Sequence, residues 1–446
     1  MHVNKLTFLY GRVHGMKGFY NRLISLLKVS YLSARAPRSL QAKWGWSAFI
    51  PRSSAIRRVY LDHAGATEIG VLAKRALLET IELYGNASAI YHEGVLAKNA
   101  LKDAREKIAR ILSSYPYELY FTGSGTESIS LAIKGTVDYF HAIHTKGDVN
   151  SKIIPHVITT SIEHPAVLET LRELEQSGKV TVTYLSVNQR GLVEVKDVRE
   201  ALTPLTILVS IMYVNNEIGT IQPIKDIGRM LSLYRKDKKI EDTHTTIIDV
   251  QYPYFHVDAC QAANYLSLDV KSLRVDLMTL NSSKVYGPKG IGLLFKREGL
   301  MLLPQILGGG QERGLRSGTE AVPLIAAFAE ALDEAHTLRT RTDGENEVER
   351  LLGLRTLLCD LLKKSIPSII FYGSFEKHER IPNNINCRIK GLSSEEVILR
   401  LDAKGFAISH KSACASESES GSHVILALGE DEVAASENIR ITMGRS

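Results

Sequence analysis

The sequence predicts an α/β protein: a large domain on a mainly parallel sheet flanked by helices, followed by a smaller α+β domain. Three observations carry this. Short apolar runs (VYLDHAGAT, ELYFTG, HVITTS, TILVSIMYV, YFHVDA and GIGLLF) recur from Val59 onward and alternate with helical stretches, the rhythm of strands joined by crossover helices. Within residues 92–112, VLAKNALKDAREKIARIL spaces its apolar positions at the helical period. After about Ala321 the pattern shifts to long helices with a few strands, including a charged helix around 340–365. Polar stretches at 143–152 and 235–245 read as surface loops. The expected divisions are a basic extension over 1–57, a large domain over 58–320 whose first residues can pack on the small one, and a small domain over 321–446.

A chain of 446 residues can bury a large core and hold two or three domains. With 23% charged and 44% apolar residues it has the composition of a soluble globular protein. No apolar run reaches the roughly eighteen residues of a membrane span. Residues 1–61 hold four Lys and seven Arg but no Asp or Glu, a charge of +11 against +6 for the whole chain, which leaves −5 on the remainder. A mildly acidic body excludes nucleic acid as substrate. The extension reads as an organelle transit peptide, with Phe19, Leu23, Leu26 and Leu27 on one side of a helix, or as a disordered or weakly helical basic tail. We take the second reading and expect a cytoplasmic protein; the first would place it in a mitochondrion or another organelle. Cys260, Cys359, Cys387 and Cys414 lie far apart with no CxxC pair, so no metal site and no disulfide framework are expected, and a reducing compartment fits best.

The richest stretch runs from Tyr254 to Gly292. One apolar run delivers Asp258 and Gln261 at its end, and a second delivers Asn281, Ser282, Ser283 and Lys284. An acid and an amine at the ends of buried strands are costly to desolvate unless paired or given a ligand. They make either an ordinary buried ion pair beside a Gly/Pro turn or a cofactor site. In the second case the amine takes an aldehyde and the carboxylate keeps a pyridine nitrogen protonated, which is pyridoxal phosphate chemistry.

Four further stretches bear on chemistry. TGSGTES at 122–128 is a small-residue loop that opens a helix directly after a strand. Its free N–H groups, with the hydroxyls of Ser124 and Thr126, suit a phosphate, although Ser and Thr also cap ordinary helices. SIEHPAV places His164 at the same sheet edge, where an imidazole can stack on a ring, move protons, or simply begin a helix beside Pro165. YVNNEIGT offers Asn215 and Asn216 as amide donors or as turn residues. HKSACASESESGSH sets Cys414 in a Ser/Gly/Glu-rich segment with little to bury it, so it is either a candidate nucleophile or an incidental surface thiol.

From Val59 to Arg445 the chain resembles the cysteine desulfurases, pyridoxal-phosphate enzymes of the class V aminotransferase group. The resemblance rests on FTGSGTES with LAIKG, EHPAV, VSIMYVNNEIGTIQPI, VDACQ, SKVYGPKGIG, GGGQERGLRSGT, SACAS and NIRITMGR, all in the family's order. It implies a fold-type I transferase with a seven-stranded sheet in the large domain. It makes Lys284 the residue that binds the cofactor aldehyde, Asp258 the partner of the ring nitrogen, His164 the ring-stacking acid/base, and Gln261 a contact of the ring oxygen. Gly125 and Thr126 fall at the phosphate turn, and Thr319 matches a threonine that reaches the phosphate across a dimer interface, which implies a homodimer. Asn216 and Arg440 match positions that hold the substrate carboxylate, and Cys414 matches the cysteine that accepts sulfur from L-cysteine as a persulfide. The length of the Cys414 segment resembles the class that hands sulfur to scaffold and carrier proteins, for iron–sulfur cluster assembly or thiolation of cofactors and tRNA.

Three departures stand out. The family usually has Ser and His where this chain has Asn281 and Ser283, so a potentially cationic phosphate donor is lost. DHAGAT replaces a smaller-residue pattern, so His63 is expected to alter the substrate entrance. The sequence ends six residues after Arg440, where relatives usually continue through a further helix. These leave two alternatives: a selenocysteine lyase or other class V enzyme, and a catalytically weak paralogue serving as a sulfur-transfer or assembly partner.

Overall fold

The computed structural model describes residues 58–144, 153–241, 251–344, 346–376, 378–410 and 421–445. The described chain opens with β1 (Val59–Tyr60), α1 (Val71–Thr80) and α2 (His92–Leu112). An alternating series follows: β2 (Leu119–Thr122), α3 (Gly125–His144), β3 (His156–Thr160), α4 (Pro165–Gln176), β4 (Thr181–Leu185), α5 (Val195–Glu200), β5 (Thr206–Met212) and α6 (Ile224–Glu241). It continues through β6 (Tyr254–Asp258), α7 (Val270–Leu273), β7 (Leu277–Asn281) and β8 (Gly292–Lys296). Strands β2 to β8 form one seven-stranded sheet in the order β2-β8-β7-β6-β5-β3-β4, in which only β8 runs against its neighbours.

Every residue of β5 and β6 is buried, as expected of parallel strands covered on both faces. Val209, Ile211 and Val257 share one apolar cluster with Ile108 of α2 and Ile227 of α6. Leu208, Tyr254 and Leu277 share another with Ile133 and Val137 of α3 and Leu171 of α4. Each such aliphatic side chain contributes about 1.5–3 kcal/mol when fully buried. Two buried histidines cross-link the strands. His156 on β3 bonds Thr206 of β5 (2.9 Å) and Thr183 of β4 (2.8 Å), and His256 on β6 bonds Ser210 of β5 (2.8 Å) and Thr279 of β7 (3.0 Å).

The remaining elements are α8 (Val322–Thr340), α9 (Glu347–Ser365), β9 (Ile370–Tyr372), β10 (Asn384–Arg388), α10 (Ser394–Asp402), β11 (Phe406–Ala407), α11 (His423–Ala427), α12 (Glu432–Glu437) and β12 (Asn438–Thr442). Strands β9, β10 and β12 form an antiparallel sheet in the order β12-β10-β9. The apolar run at Val59 does not enter the seven-stranded sheet. Instead β1 pairs in parallel with β11, and Asp62 bridges to Thr442, so the first described residues lie against the last.

Candidate active site

The carboxyl ends of β2, β3, β5, β6 and β7 lie on one edge of the sheet, where open α/β sheets bind ligands. A cavity of about 120 Å³ opens there, and every strand-end motif singled out in the sequence sends a residue into it.

Asp258 ends β6, nearly buried, with Oδ1 accepting from Cys260 N at 3.0 Å. Lys284 closes the single turn Ser282–Lys284 that follows β7. Asn264 holds that turn by donating to the Lys284 carbonyl at 2.8 Å. The lysine Nζ donates to the carbonyls of Ala64 (2.9 Å) and Gly65 (2.5 Å), and Gln261 Nε2 also donates to Ala64 O (2.9 Å). The segment after β1 thus supplies a floor of backbone oxygens under the amine.

His164 is the N-cap of α4. Its Nδ1 accepts from Ala166 N at 3.1 Å, so a neutral ring carries its proton on Nε2. Burial lowers its pKa; Asp258 opposes this, and Lys284 and His423 add to it. The ring is therefore poised neutral at pH 7.

At the opposite wall α3, 20 residues long, begins at Gly125. Among the described residues, nothing accepts from the backbone N–H groups of Gly125 and Thr126, as befits a helix end open to an anion. A Cβ on Gly125 would come within 3.1 Å of Asn281 Cβ and of Cys260 Sγ, so a larger residue would fill this cup. Asn281 lines it, but Ser283 does not. Ser283 instead donates to Asn281 Oδ1 through its N and its Oγ, both at 3.3 Å, which leaves the Asn281 amide nitrogen as the outward donor.

The third corner is cationic. Arg440 is 1% exposed; its Nη2 donates to Asp62 Oδ1 at 2.7 Å and its Nη1 to Asn216 O at 3.1 Å. Its Nε is buried and has no partner among the described residues. Such an orphan N–H suits a carboxylate entering beside Asn216. Open N–H groups for a phosphate, a lysine amine, a buried carboxylate and this arginine together fit pyridoxal phosphate and an amino acid.

Thr319 and His63, like Ser283, do not line this cavity. Thr319 lines a separate cavity of about 200 Å³ with Thr122, Gly123, Arg316 and Glu320. Cys414 lies outside the described residues. His63 does not line the cavity: its Nδ1 bonds Thr442 O (2.9 Å) and its ring lies edge-on to Tyr60, so it fastens the first described residues to β12. Conversely, sequence reasoning missed Asp62, the carbonyls of Ala64 and Gly65, and Cys260, which lines the cavity and whose thiol is pushed well up by burial and by Asp258. Main-chain donors and acceptors carry no side-chain signature, and the remaining two residues acquire meaning only from their neighbours.

The profile of the aminotransferase class-V family matches residues 59–444. "Cysteine desulfurase IscS" of Clostridium botulinum is 37% identical over 393 residues, which cover 87% of this chain and 90% of that protein. Among solved structures, a "NifS-like protein" superposes with a TM-score of 0.74 at 31% identity, covering 87% of this chain and 94% of that one. "SspA in complex with cysteine" gives 0.68 at 32% identity, covering 86% and 98%. With fold, site and relatives in agreement along nearly the whole described length, the chain belongs to the aminotransferase class-V family.

Proposed function

We propose that the protein is a cysteine desulfurase that converts L-cysteine to L-alanine and moves the sulfur to its own Cys414 as a persulfide. The observation that carries this reading is the convergence, in one cavity, of Lys284, Asp258 and His164 with Asn216 and Arg440. One set suits amine exchange, and the other suits a carboxylate. A relative named as a cysteine desulfurase and a solved relative holding cysteine support it.

Pyridoxal 5'-phosphate, the cofactor of such enzymes, supplies an aldehyde that captures amino groups and a ring that takes up the electron pair left by a departing α-proton. Lys284 would hold the aldehyde, Asp258 the ring nitrogen, His164 the ring face, and Gln261 the ring oxygen. Gly125, Thr126 and Asn281 would hold the phosphate, with Ser283 behind Asn281. Arg440 and Asn216 bind the substrate carboxylate and so fix which bond at the α-carbon faces Lys284. Freed Lys284 takes the α-proton at Nζ and returns one to the product carbon. The Cys414 thiolate attacks the substrate sulfur: an S–S bond forms as the C–S bond breaks, and cysteine plus enzyme thiol become alanine plus enzyme persulfide. A sulfur-acceptor or scaffold protein would then discharge the persulfide.

We infer further that the enzyme is a homodimer with a large unit over 58–320 and a small unit over 321–446. Thr319 lines its own cavity apart from Lys284, as a residue serving the partner's phosphate would. Val71, Tyr84 and Ile90 on and beyond α1 are at least 81% exposed, an apolar surface suited to a second copy.

The test is alanine formation from cysteine, with mass spectrometry for sulfur added to the Cys414 peptide. In Cys414→Ser, alanine release should fall at least ~100-fold while cofactor and cysteine binding persist, because Lys284 and Arg440 carry those steps. Full cysteine activity in that mutant would remove Cys414 from the mechanism. High activity toward selenocysteine alone would replace the reading with a selenocysteine lyase.

A further inference from the structure

Glu163 has no part in the chemistry assigned above, and its surroundings are unusual for a carboxyl group. It is fully buried, and among the described residues no Lys, Arg or His forms an ion pair with it. Oε1 accepts from Thr160 Oγ1 at 2.6 Å and from Met212 N at 3.0 Å, while the equally buried Oε2 has no partner among the described residues. The titratable side chains around it are His164 on its own turn, Asp258 on β6 and His423 on α11. Burial pushes the Glu163 carboxyl up to about 8; the Thr160 and Met212 donors oppose this, and Asp258 adds to it.

Its place in the sheet shows what such a group can do. Backbone pairing between β3 and β5 ends at Ile158 and Val209, with further side-chain links from Thr159 Oγ1 to Ser210 O and from Asn215 Nδ2 to Ile162 O, both at 2.9 Å. Beyond that point the two chains become separate walls of the cavity, one carrying His164 and the other Met212, Val214 and Asn216. The Glu163 side chain crosses the gap between them. Its own carbonyl accepts from His423 Nε2 at 3.0 Å, on the first residue of α11. One residue therefore ties together three pieces of chain around the site.

We propose that Glu163 is a positioning residue that works in its neutral, protonated form, spanning β3 and β5 so that the His164 ring is held opposite the Asn216 side of the cavity. Ionised, it would be a buried charge near Asp258, with no donor to its second oxygen among the described residues. Entry of water to supply a donor to that oxygen relieves that strain, and it widens the gap. The inference rests on the cofactor reading above, because cofactor retention is its natural readout.

The experiment is a pH series from 6 to 10 on holoenzyme, measuring the pyridoxal phosphate Kd by dialysis and the kcat/KM for alanine formation. In the wild type the Kd should rise above pH 8, by up to about tenfold per pH unit. Glu163→Gln keeps an oxygen acceptor for Thr160 and Met212 and cannot ionise. It should match wild type at pH 7 within about twofold and lose the alkaline rise. Glu163→Leu, with no acceptor, should bind weakly at every pH. An unchanged alkaline rise in Glu163→Gln would overturn the proposal, as would a large loss of affinity by that variant at pH 7. Borohydride reduction and peptide mapping of the same samples separate the two readings: cofactor fixed to Lys284 in all three proteins, with identical pH profiles, would sink the role of Glu163 and leave the cofactor site standing.

Discussion

Asn281 and Ser283 show how two exchanged residues can still leave one donor facing the proposed phosphate cup. Where the family's Ser and His would each be expected to donate to a phosphate, here Ser283 spends both of its donors on Asn281 Oδ1, and the amide nitrogen faces the start of α3. The donors that this pair supplies are uncharged. Asn281→Asp keeps the acceptor that Ser283 needs and replaces the outward donor with an anion. We expect it to weaken pyridoxal phosphate binding by tenfold or more, on the order of the 1.5–3 kcal/mol of a charge-assisted hydrogen bond, and to leave binding of pyridoxal, which lacks the phosphate, nearly unchanged. Equilibrium dialysis of apoenzyme with both aldehydes checks this; equal losses for the two would mean that Asn281 acts on the turn of Lys284 instead. Lys284, Asp258 and His164 were legible as residues of this cavity because each is a titratable side chain at the end of a recognisable run, whereas Arg440, in the middle of β12, came only from the resemblance of NIRITMGR. The link between Ser283 and Asn281 was not, because it depends on which way two small polar groups turn.

Among the elements, the strands with the most continuous apolar runs were the easiest to read, and burial explains why. Strands β5 and β6 are covered on both faces and admit little else. Helix α2 occupies the predicted residues 92–112, with Ala97, Ala104, Ile108 and Ile111 on its buried side. The charged helix around 340–365 resolves into α8 ending at Thr340 and α9 starting at Glu347, because Asn346 caps the second by accepting from Val348 N at 2.9 Å. Strand β4 (TVTYL) was not singled out, because it sits at the sheet edge, half exposed and interrupted by threonines. Nor could the sequence show that His156 and His256 cross-link strands, since the register that brings Ser210 opposite His256 is a tertiary fact. Burial lowers the His256 ring to about 4, with Asp258 opposing, against about 6.5 in the unfolded chain. The folded state thus binds its proton less readily than the unfolded one. Its stabilising contribution is complete above about pH 6.5 and drains away as the pH falls toward 4. Thermal midpoints followed from pH 7 to pH 4 should fall, and fall less steeply in His256→Gln, whose amide can still bond Ser210 and Thr279. An unaltered slope would assign the acid sensitivity to other groups.

At the scale of the whole molecule, the proposed exchange of Thr319 between subunits makes a prediction that no single chain can mimic. Lys284→Ala and Thr319→Ala should each depress activity as pure proteins. Unfolded together and refolded as mixed dimers, they should regain part of it, because one site then combines an intact Lys284 with the partner's intact threonine. Alanine release from the mixture measures this, and no recovery would mean that Thr319 serves its own chain. The contact that joins the distant ends of the described chain has another consequence. The segment after β1 reaches the Lys284 amine through the carbonyl oxygens of Ala64 and Gly65, and a Cβ on Gly65 would lie 2.3 Å from the Asp62 carboxylate that holds Arg440. What these two positions supply is main-chain oxygen, and at Gly65 there is no room for a side chain. Natural variation there should therefore run through the smallest residues irrespective of their chemistry, and a catalogue of functional side chains would pass over the stretch of main chain that braces the lysine and the arginine together.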